Sequence, residues 1–261
     1  MDKFLILMCY DIKASLEAQL NRARRKGDVQ AQHEIIEKLV PLTDLPLHHV
    51  SGFSHPSLLI YTNRSPDFPE VATWGLVPHW VKDDAQLKKL WNSTLNARGE
   101  TIFEKPSFKL AAEQQRCIVY VDGFYEHHHF KGATYPFFIS HKNKEPLALA
   151  GLFSEYVHPE TDGVLNTFTI VTTAGNSLLT KIHNNPKIKE PRMPLMLTRE
   201  AEAHWLTDEA DGIIAQKINA LMQSYPSEKL VSHTVQKLRG KAYAGNVPEI
   251  SEPHLYPELE F

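Results

Sequence analysis

Cysteine is scarce in this chain. Only Cys9 and Cys117 occur in 261 residues, too few for a disulfide framework or a four-cysteine zinc site. Cys9 ends a short apolar run and Cys117 enters a strand-like one, so they read as two reduced, half-buried thiols of a cytosolic protein. Long apolar runs are missing too. The stretch Phe4-Leu5-Ile6-Leu7-Met8 is too short to cross a bilayer. It lacks the charged leader and small-residue cleavage site of a signal peptide, so a cytoplasmic protein without membrane contact is expected. Charge of one sign is also absent: 28 basic against 31 acidic side chains leave −3. That excludes nucleic-acid binding through bulk electrostatics but not through a local basic groove. No phosphate loop, dinucleotide glycine fingerprint or paired-histidine zincin helix appears. The richest histidine cluster is His127-His128-His129. On a strand, His127 and His129 share one face, and the run is expected to meet solvent. No cysteine or carboxylate stands beside it at a familiar ligand spacing, so no metal is expected.

What is present is an ordinary globular balance, 42% hydrophobic and 23% charged, with length for one large domain or two small ones. Residues 4–10 read as a strand. Residues 14–40 read as one or two surface helices broken near Gly27, and 41–56 as loop. Strands follow over 57–62 and 72–77, then helices over 83–91 and 100–115, the second interrupted at Pro106. A series of strands is expected over 116–125, 135–141, 147–156 and 166–172, rich in β-branched and aromatic residues. A short helix over 175–182, a strand over 193–197, helices over 199–206 and 213–224 and a strand over 230–235 complete the chain. The tail from Gly240 is expected to lie along the surface or fray. Strands cluster in the middle without a regular βαβ rhythm, which favours α+β over a doubly wound parallel sheet.

Several local strings carry chemistry-bearing residues: Met8-Cys9; Trp74-Gly75-Leu76-Val77-Pro78-His79-Trp80; Asn96-Ala97-Arg98-Gly99-Glu100-Thr101; Asp122-Gly123-Phe124-Tyr125-Glu126; and Thr172-Thr173-Ala174-Gly175-Asn176 followed by Ile182-His183 and Arg192-Met193-Pro194. Each has a plain alternative. Trp74 and Trp80 suit a core, Asn96 a helix cap, Glu100 a first helical turn, Glu126 a solvated strand end and His183 a helix C-terminus.

Taken in this order, the strings resemble the SOS-response-associated peptidase (SRAP) family, whose members shield abasic sites in single-stranded DNA by covalent attachment. The resemblance runs from Met8 to about Val235. It implies an α+β fold with a curved, barrel-like set of mostly antiparallel strands flanked by helices, and one DNA groove. It implies a catalytic set of Cys9 as nucleophile with Asn96, Glu126 and His183. It implies DNA phosphate contacts at Arg98 and Arg192 and base stacking by Trp74 and Trp80. The partner implied is single-stranded DNA containing abasic sites, handled by a monomer without cofactor or metal. Residues 1–8 then form an extension, 9–240 the catalytic and DNA-binding domain, and 241–261 a C-terminal tail.

Those residue types suit the implied chemistry. An opened abasic site is an aldehyde. A cysteine with a free α-amine carries two nucleophiles on adjacent carbons, with ordinary pKa values of about 7.7–8.0 and 8.5. The amine forms an imine, and the tethered thiol closes a thiazolidine ring with the advantage of proximity. Glu126 and His183 suit the proton transfers. The chain departs from the family pattern in four places: eight residues precede Cys9, His127 follows Glu126 where tryptophan is usual, Thr73 replaces an arginine ahead of Trp74, and residues 184–191 separate His183 from Arg192. The first departure leaves an amide at Cys9, which cannot form the ring. Residues 1–8 are therefore expected either to be removed, by cleavage of the Met8–Cys9 bond through the same thiol, or not to be translated. A cysteine peptidase acting on proteins, a non-catalytic single-strand binding module and a zinc hydrolase are the competing readings.

Overall fold

The computed structural model describes residues 10–207 and 213–261. Of the expected strand over 4–10, only Tyr10 falls among them; Met8 and Cys9 lie outside the described residues. From the N-terminus come β1 (Asp11–Ala14), α1 (Leu16–Gln19), α2 (Asn21–Arg25), α3 (Val29–Glu34), β2 (Leu47–Ser51), β3 (Ser57–Thr62), β4 (Glu70–Trp74), α4 (Asp84–Trp91) and β5 (Asn96–Arg98). Next are α5 (Lys109–Gln114), β6 (Arg116–Val121), β7 (Gly123–Phe130), β8 (Ala133–His141), β9 (Leu147–Val157) and β10 (Val164–Ala174). The chain continues through α6 (Ser177–Ile182), β11 (Arg192–Pro194), β12 (Met196–Leu197), α7 (Arg199–Trp205), α8 (Ile214–Asn219) and β13 (Leu230–Thr234).

The strands form two sheets. One has the order β13-β8-β7-β1-β2 and is antiparallel throughout. In the other, β10, β4, β3, β6 and β9 close on themselves, because β10 pairs with β4 along one edge and with β9 along the other. Among the described residues, only the pairings of β10 with β4 and β5 are parallel. Closure leaves the five barrel strands with neighbours on both sides, removing exposed edges. The α+β, barrel-like architecture expected from the sequence is the one observed.

Every residue of β6 is buried. Cys117, Val119 and Val121 join one apolar cluster with Trp74, Phe153, Phe168 and residues of the other sheet such as Phe124 and Ile139. Ile118 and Tyr120 join a second cluster, which Phe108, Ala112, Trp205 and Ile218 of the helical layer cover. A strand buried on both faces loses the alternation of a half-buried one and reads as a continuous apolar run.

Four expectations about elements change. The run 116–125 is two strands, not one. At Asp122 the chain leaves the barrel for the other sheet, and the Asp122 carboxylate receives the Ser15 amide and hydroxyl at 2.5 and 2.8 Å. Residues 41–56 are not all loop, because β2 pairs with β1. The strand expected over 72–77 stops at Trp74: Gly75 has φ of +119°, and a Cβ there would lie 2.5 Å from the Trp91 ring. Only glycine takes that turn without strain. The helix expected over 100–115 is a 3-10 turn, Gly99–Thr101, and then α5. The tail packs along the five-stranded sheet: Ile250 is buried, and the Asn246 side chain accepts the backbone N–H groups of His48 and His49.

Candidate active site

Strand β7 lies between β1 and β8, with Asp11 opposite Tyr125 and Glu126 opposite Phe137. This puts Glu126, only 5% exposed, beside the point where β1 enters the sheet. His183 arrives from the other side. It closes α6, whose start is capped by the Asn176 side chain on Leu179 N and whose Leu179 and Ile182 are buried. The His183 amide donates to Leu179 O at 2.8 Å, so the last helical bond fixes the position of the ring. The imidazole is 4% exposed. Its Nδ1 lies 3.2 Å from Arg192 O and 3.8 Å from Glu126 Oε1.

That pair of neighbours determines the tautomer. A carbonyl oxygen and a carboxylate oxygen are both acceptors, so the nitrogen that faces them carries the proton. Neutral His183 is therefore protonated at Nδ1 and keeps its lone pair on Nε2. Once Nε2 takes a proton, the imidazolium sits against a carboxylate.

Glu126 and His183 line a cleft of about 410 Å³ that also takes in Tyr10, His127, His129, Asn185 and Arg239. Beside it, Asp11 is buried and receives Arg239 Nη2 at 2.8 Å. Burial alone would raise the Asp11 carboxyl, but the facing His49 ring, 3.7 Å away, and the charge of Arg239 outweigh it and hold it below the usual range. His127 keeps part of its surface at the cleft, yet the atoms packed around it push its pKa down to about 4. Burial also lowers His129, with neighbouring His128, His183 and Lys187 adding to the effect. His127 is thus neutral at pH 7. The run 127–129 is not simply solvent-facing. His128 is buried, with Nδ1 2.9 Å from Lys181 O, and packs on Phe137 and Phe261. Among the described residues, no three His, Cys, Asp or Glu side chains gather to hold a metal ion.

The residues singled out from sequence are not all brought together. Glu126 and His183 share the cleft. Cys9 lies outside the described residues. Asn96 is buried on β5 opposite Ile170 and is not among the residues lining the cleft. Arg98 is exposed at the end of β5. Two expectations need correction. Trp74 is fully buried, stacks on Phe168 and donates Nε1–H to Leu95 O, so it offers no face to a base. Trp80 is half-buried and donates to Pro106 O. Arg192 is 2% exposed, and its guanidinium is committed bidentately to Glu100 at 2.7 and 2.8 Å and to Thr172 O at 2.8 Å. As folded, it is not available to a phosphate. Sequence reasoning missed Tyr10, Asp11, Asn185 and Arg239. The first two were accessible as the residues just after Cys9, but nothing local marks Arg239, which reaches the cleft only because β13 pairs with β8.

Residues 18–242 match the family model described as SOS response associated peptidase (SRAP). The abasic site processing protein YoqW of Bacillus subtilis is 35% identical over 182 residues, 69% of this chain and 75% of that protein. The abasic site processing protein HMCES of Pongo abelii is 31% identical over 208 residues, 69% of this chain but 55% of the longer relative. A crystal structure of a Bacteroides thetaiotaomicron protein superposes with a TM-score of 0.78 at 31% identity, covering 95% of this chain and all of that one.

Proposed function

The chain belongs to the SOS-response-associated peptidase family, and from that premise we propose that it processes abasic sites in single-stranded DNA by forming a thiazolidine crosslink through Cys9. The observation that carries this reading is the buried Glu126–His183 pair, opening on a cleft whose wall includes Tyr10, the residue covalently next to Cys9. The pair suits a reaction that moves several protons in a site shielded from bulk water.

The Cys9 α-amine adds to C1 of the opened sugar, and loss of one water gives the imine. The thiol then adds across the C=N bond, its proton passing to nitrogen, and the five-membered ring closes. Glu126 relays protons among amine, departing hydroxyl and thiol. His183, through Nε2, accepts the sugar-hydroxyl proton during ring opening and returns it on reversal. Asn96 steadies the cysteine backbone or the opened sugar, and Arg98 holds a flanking phosphate. The protein acts as a cytoplasmic monomer without cofactor.

The amine must first be freed. An N→S shift moves the Met8 acyl group from the Cys9 nitrogen to its sulfur, and water hydrolyses the thioester to release residues 1–8. Two chains test the scheme, one translated from Met1 and one from Met8, followed by intact mass and by denaturing gels with an abasic single strand. The Met8 chain, after methionine removal, should crosslink at once; the Met1 chain should do so only as residues 1–8 are lost. Cys9→Ala should abolish both products. Crosslinking by Cys9→Ala, or by a chain still carrying residues 1–8, refutes the mechanism.

A further inference from the structure

Just after β13, Val235 N donates to Pro136 O at 3.0 Å, so the chain continues alongside β8. Leu238 is buried with Tyr125, Phe138, Val235 and Ile250. It anchors the cations on either side of it, Lys237 and Arg239, which both line the cleft. The Lys237 ammonium donates to Thr134 O and lies 4.7 and 4.9 Å from the centres of the Tyr135 and Tyr256 rings, whose negative faces attract a cation. Arg239 is held differently. Its Nη2 donates to Asp11 Oδ2 at 2.8 Å, and that carboxylate is buried at the start of β1. A guanidinium carries five N–H donors in a rigid fork. Among the described residues only Asp11 accepts from it, and the side chain is 59% exposed. A buried acid thus fixes the direction of an exposed cation whose remaining donors stay open to solvent.

The charges of the cleft are sorted by depth. Its acids, Asp11 and Glu126, are both buried, whereas Lys237 is half-buried and Arg239 exposed. The charge that this wall presents to solvent is therefore positive, although the whole chain carries −3. A local field of that sign draws in a polyanion, and a pre-oriented guanidinium matches two oxygens of a phosphate. Asp11 follows Cys9 by two residues, a length of chain that spans at most about 7 Å. An anion held at Arg239 therefore belongs beside the reacting sugar.

We propose that Arg239, aimed by Asp11 and assisted by the charge of Lys237, binds a phosphodiester of the single strand next to the abasic sugar. This contact rests on the reading of the cleft as the site of abasic DNA, and it comes from a segment outside every string singled out from the sequence.

The test is binding to a fluorescent single strand in which tetrahydrofuran replaces one sugar, an abasic analogue that cannot open to an aldehyde. Anisotropy at several salt concentrations compares Arg239→Gln with its parent, in the chain translated from Met1 and in that from Met8. Arg239→Gln should bind about fivefold more weakly, the upper end for an exposed ion pair. Its log–log salt slope should be shallower by about 0.7, and Arg239→Lys, which keeps the charge, should hold the parent's slope. The phosphates around the analogue are then replaced one at a time by neutral methylphosphonate. One position should cost the parent about fivefold but Arg239→Gln less than about twofold, because both changes remove the same contact. If Arg239→Gln keeps the parent's slope, if Arg239→Lys loses it equally, or if no position shows that coupling, Arg239 is only the surface partner of Asp11 and the proposal is wrong. Removing Arg239 leaves a buried carboxylate unpaired. Should Arg239→Gln not fold, Asp11→Asn combined with Arg239→Gln removes both charges and carries the same scan. A parent chain that shows the coupling yet never crosslinks a true abasic sugar refutes the reaction at Cys9 and leaves the Arg239 contact standing.

Discussion

Replacing Asp11 by Asn changes one buried oxygen to an amide without changing the shape of the side chain. In the folded protein Asp11 Oδ2 accepts from Arg239 Nη2 at 2.8 Å, and Oδ1 lies 3.7 Å from His49 Nε2. The amide either turns its NH₂ toward the guanidinium, donor against donor, or keeps one acceptor with no charge behind it. A hydrogen bond to a charged group is worth about 1.5–3 kcal/mol. The Arg239 side chain is 59% exposed, so water recovers part of the loss, and we expect a destabilisation of about 1–2 kcal/mol at pH 7. The sign with pH follows from the lowered carboxyl. A depressed folded-state pKa gives stability that is fully present above the unfolded value of about 3.9 and is lost as pH falls through the folded value. The gap between wild type and Asp11→Asn should therefore be widest near neutrality and close below about pH 4. Urea unfolding at pH 7 and in steps toward pH 3.5 measures it directly. A gap that stays constant across that range, or no gap at pH 7, would show that the Asp11 charge contributes nothing to the fold.

Trp74→Phe should cost about 1–3 kcal/mol in unfolding experiments, through the lost bond to Leu95 O and the space left by the smaller ring; a change in DNA affinity at equal stability would restore the tryptophan to the DNA surface. Arg98→Ala should weaken binding to single strands of any sequence and flatten the salt dependence by about 0.7 in log–log slope, the value for one phosphate contact, as read by fluorescence anisotropy at several salt concentrations. Ile250→Ala should lower stability by about 2–5 kcal/mol, because Ile250 fills the cluster with Tyr125, Phe138, Val235 and Leu238; a tail that carried no core residue would melt without shifting the main transition.

The β-branched and aromatic stretches 135–141, 147–156 and 166–172 fall within β8, β9 and β10, and the break at Gly27 fell where that glycine takes φ of +69°. The helices expected over 83–91 and 199–206 are observed as α4 and α7, capped by the side chains of Asp83 and Thr198. Misreadings arose where a long-range partner overrode a local pattern. The run 116–125 is apolar apart from Arg116 and Asp122, and nothing in it announces that Asp122 is needed by Ser15, more than a hundred residues earlier in the chain. Residues 47–51 looked like loop because their hydrogen bonds belong to β1, not to their neighbours.

The candidate site divides along the same line. Sequence alone was enough to single out Glu126 and His183 within ordered strings and to suggest a family, because residue type and spacing survive in one dimension. It determined the α+β class through the clustering of strands, and the resemblance to the family implied the barrel-like character. Which polar side chains meet was beyond it. Arg98 and Arg192 are both arginines in motif-like strings, yet one is exposed and the other is buried against Glu100. Trp74 and Trp80 flank the same proline, yet only Trp74 is sealed in the core. Burial and hydrogen-bond partners depend on what other segments bring to the same place, and β10, β11 and the turn after β5 converge on Arg192 only once the barrel has closed. Tertiary structure alone set the carbonyl of Arg192 against His183 and so fixed which imidazole nitrogen carries the proton.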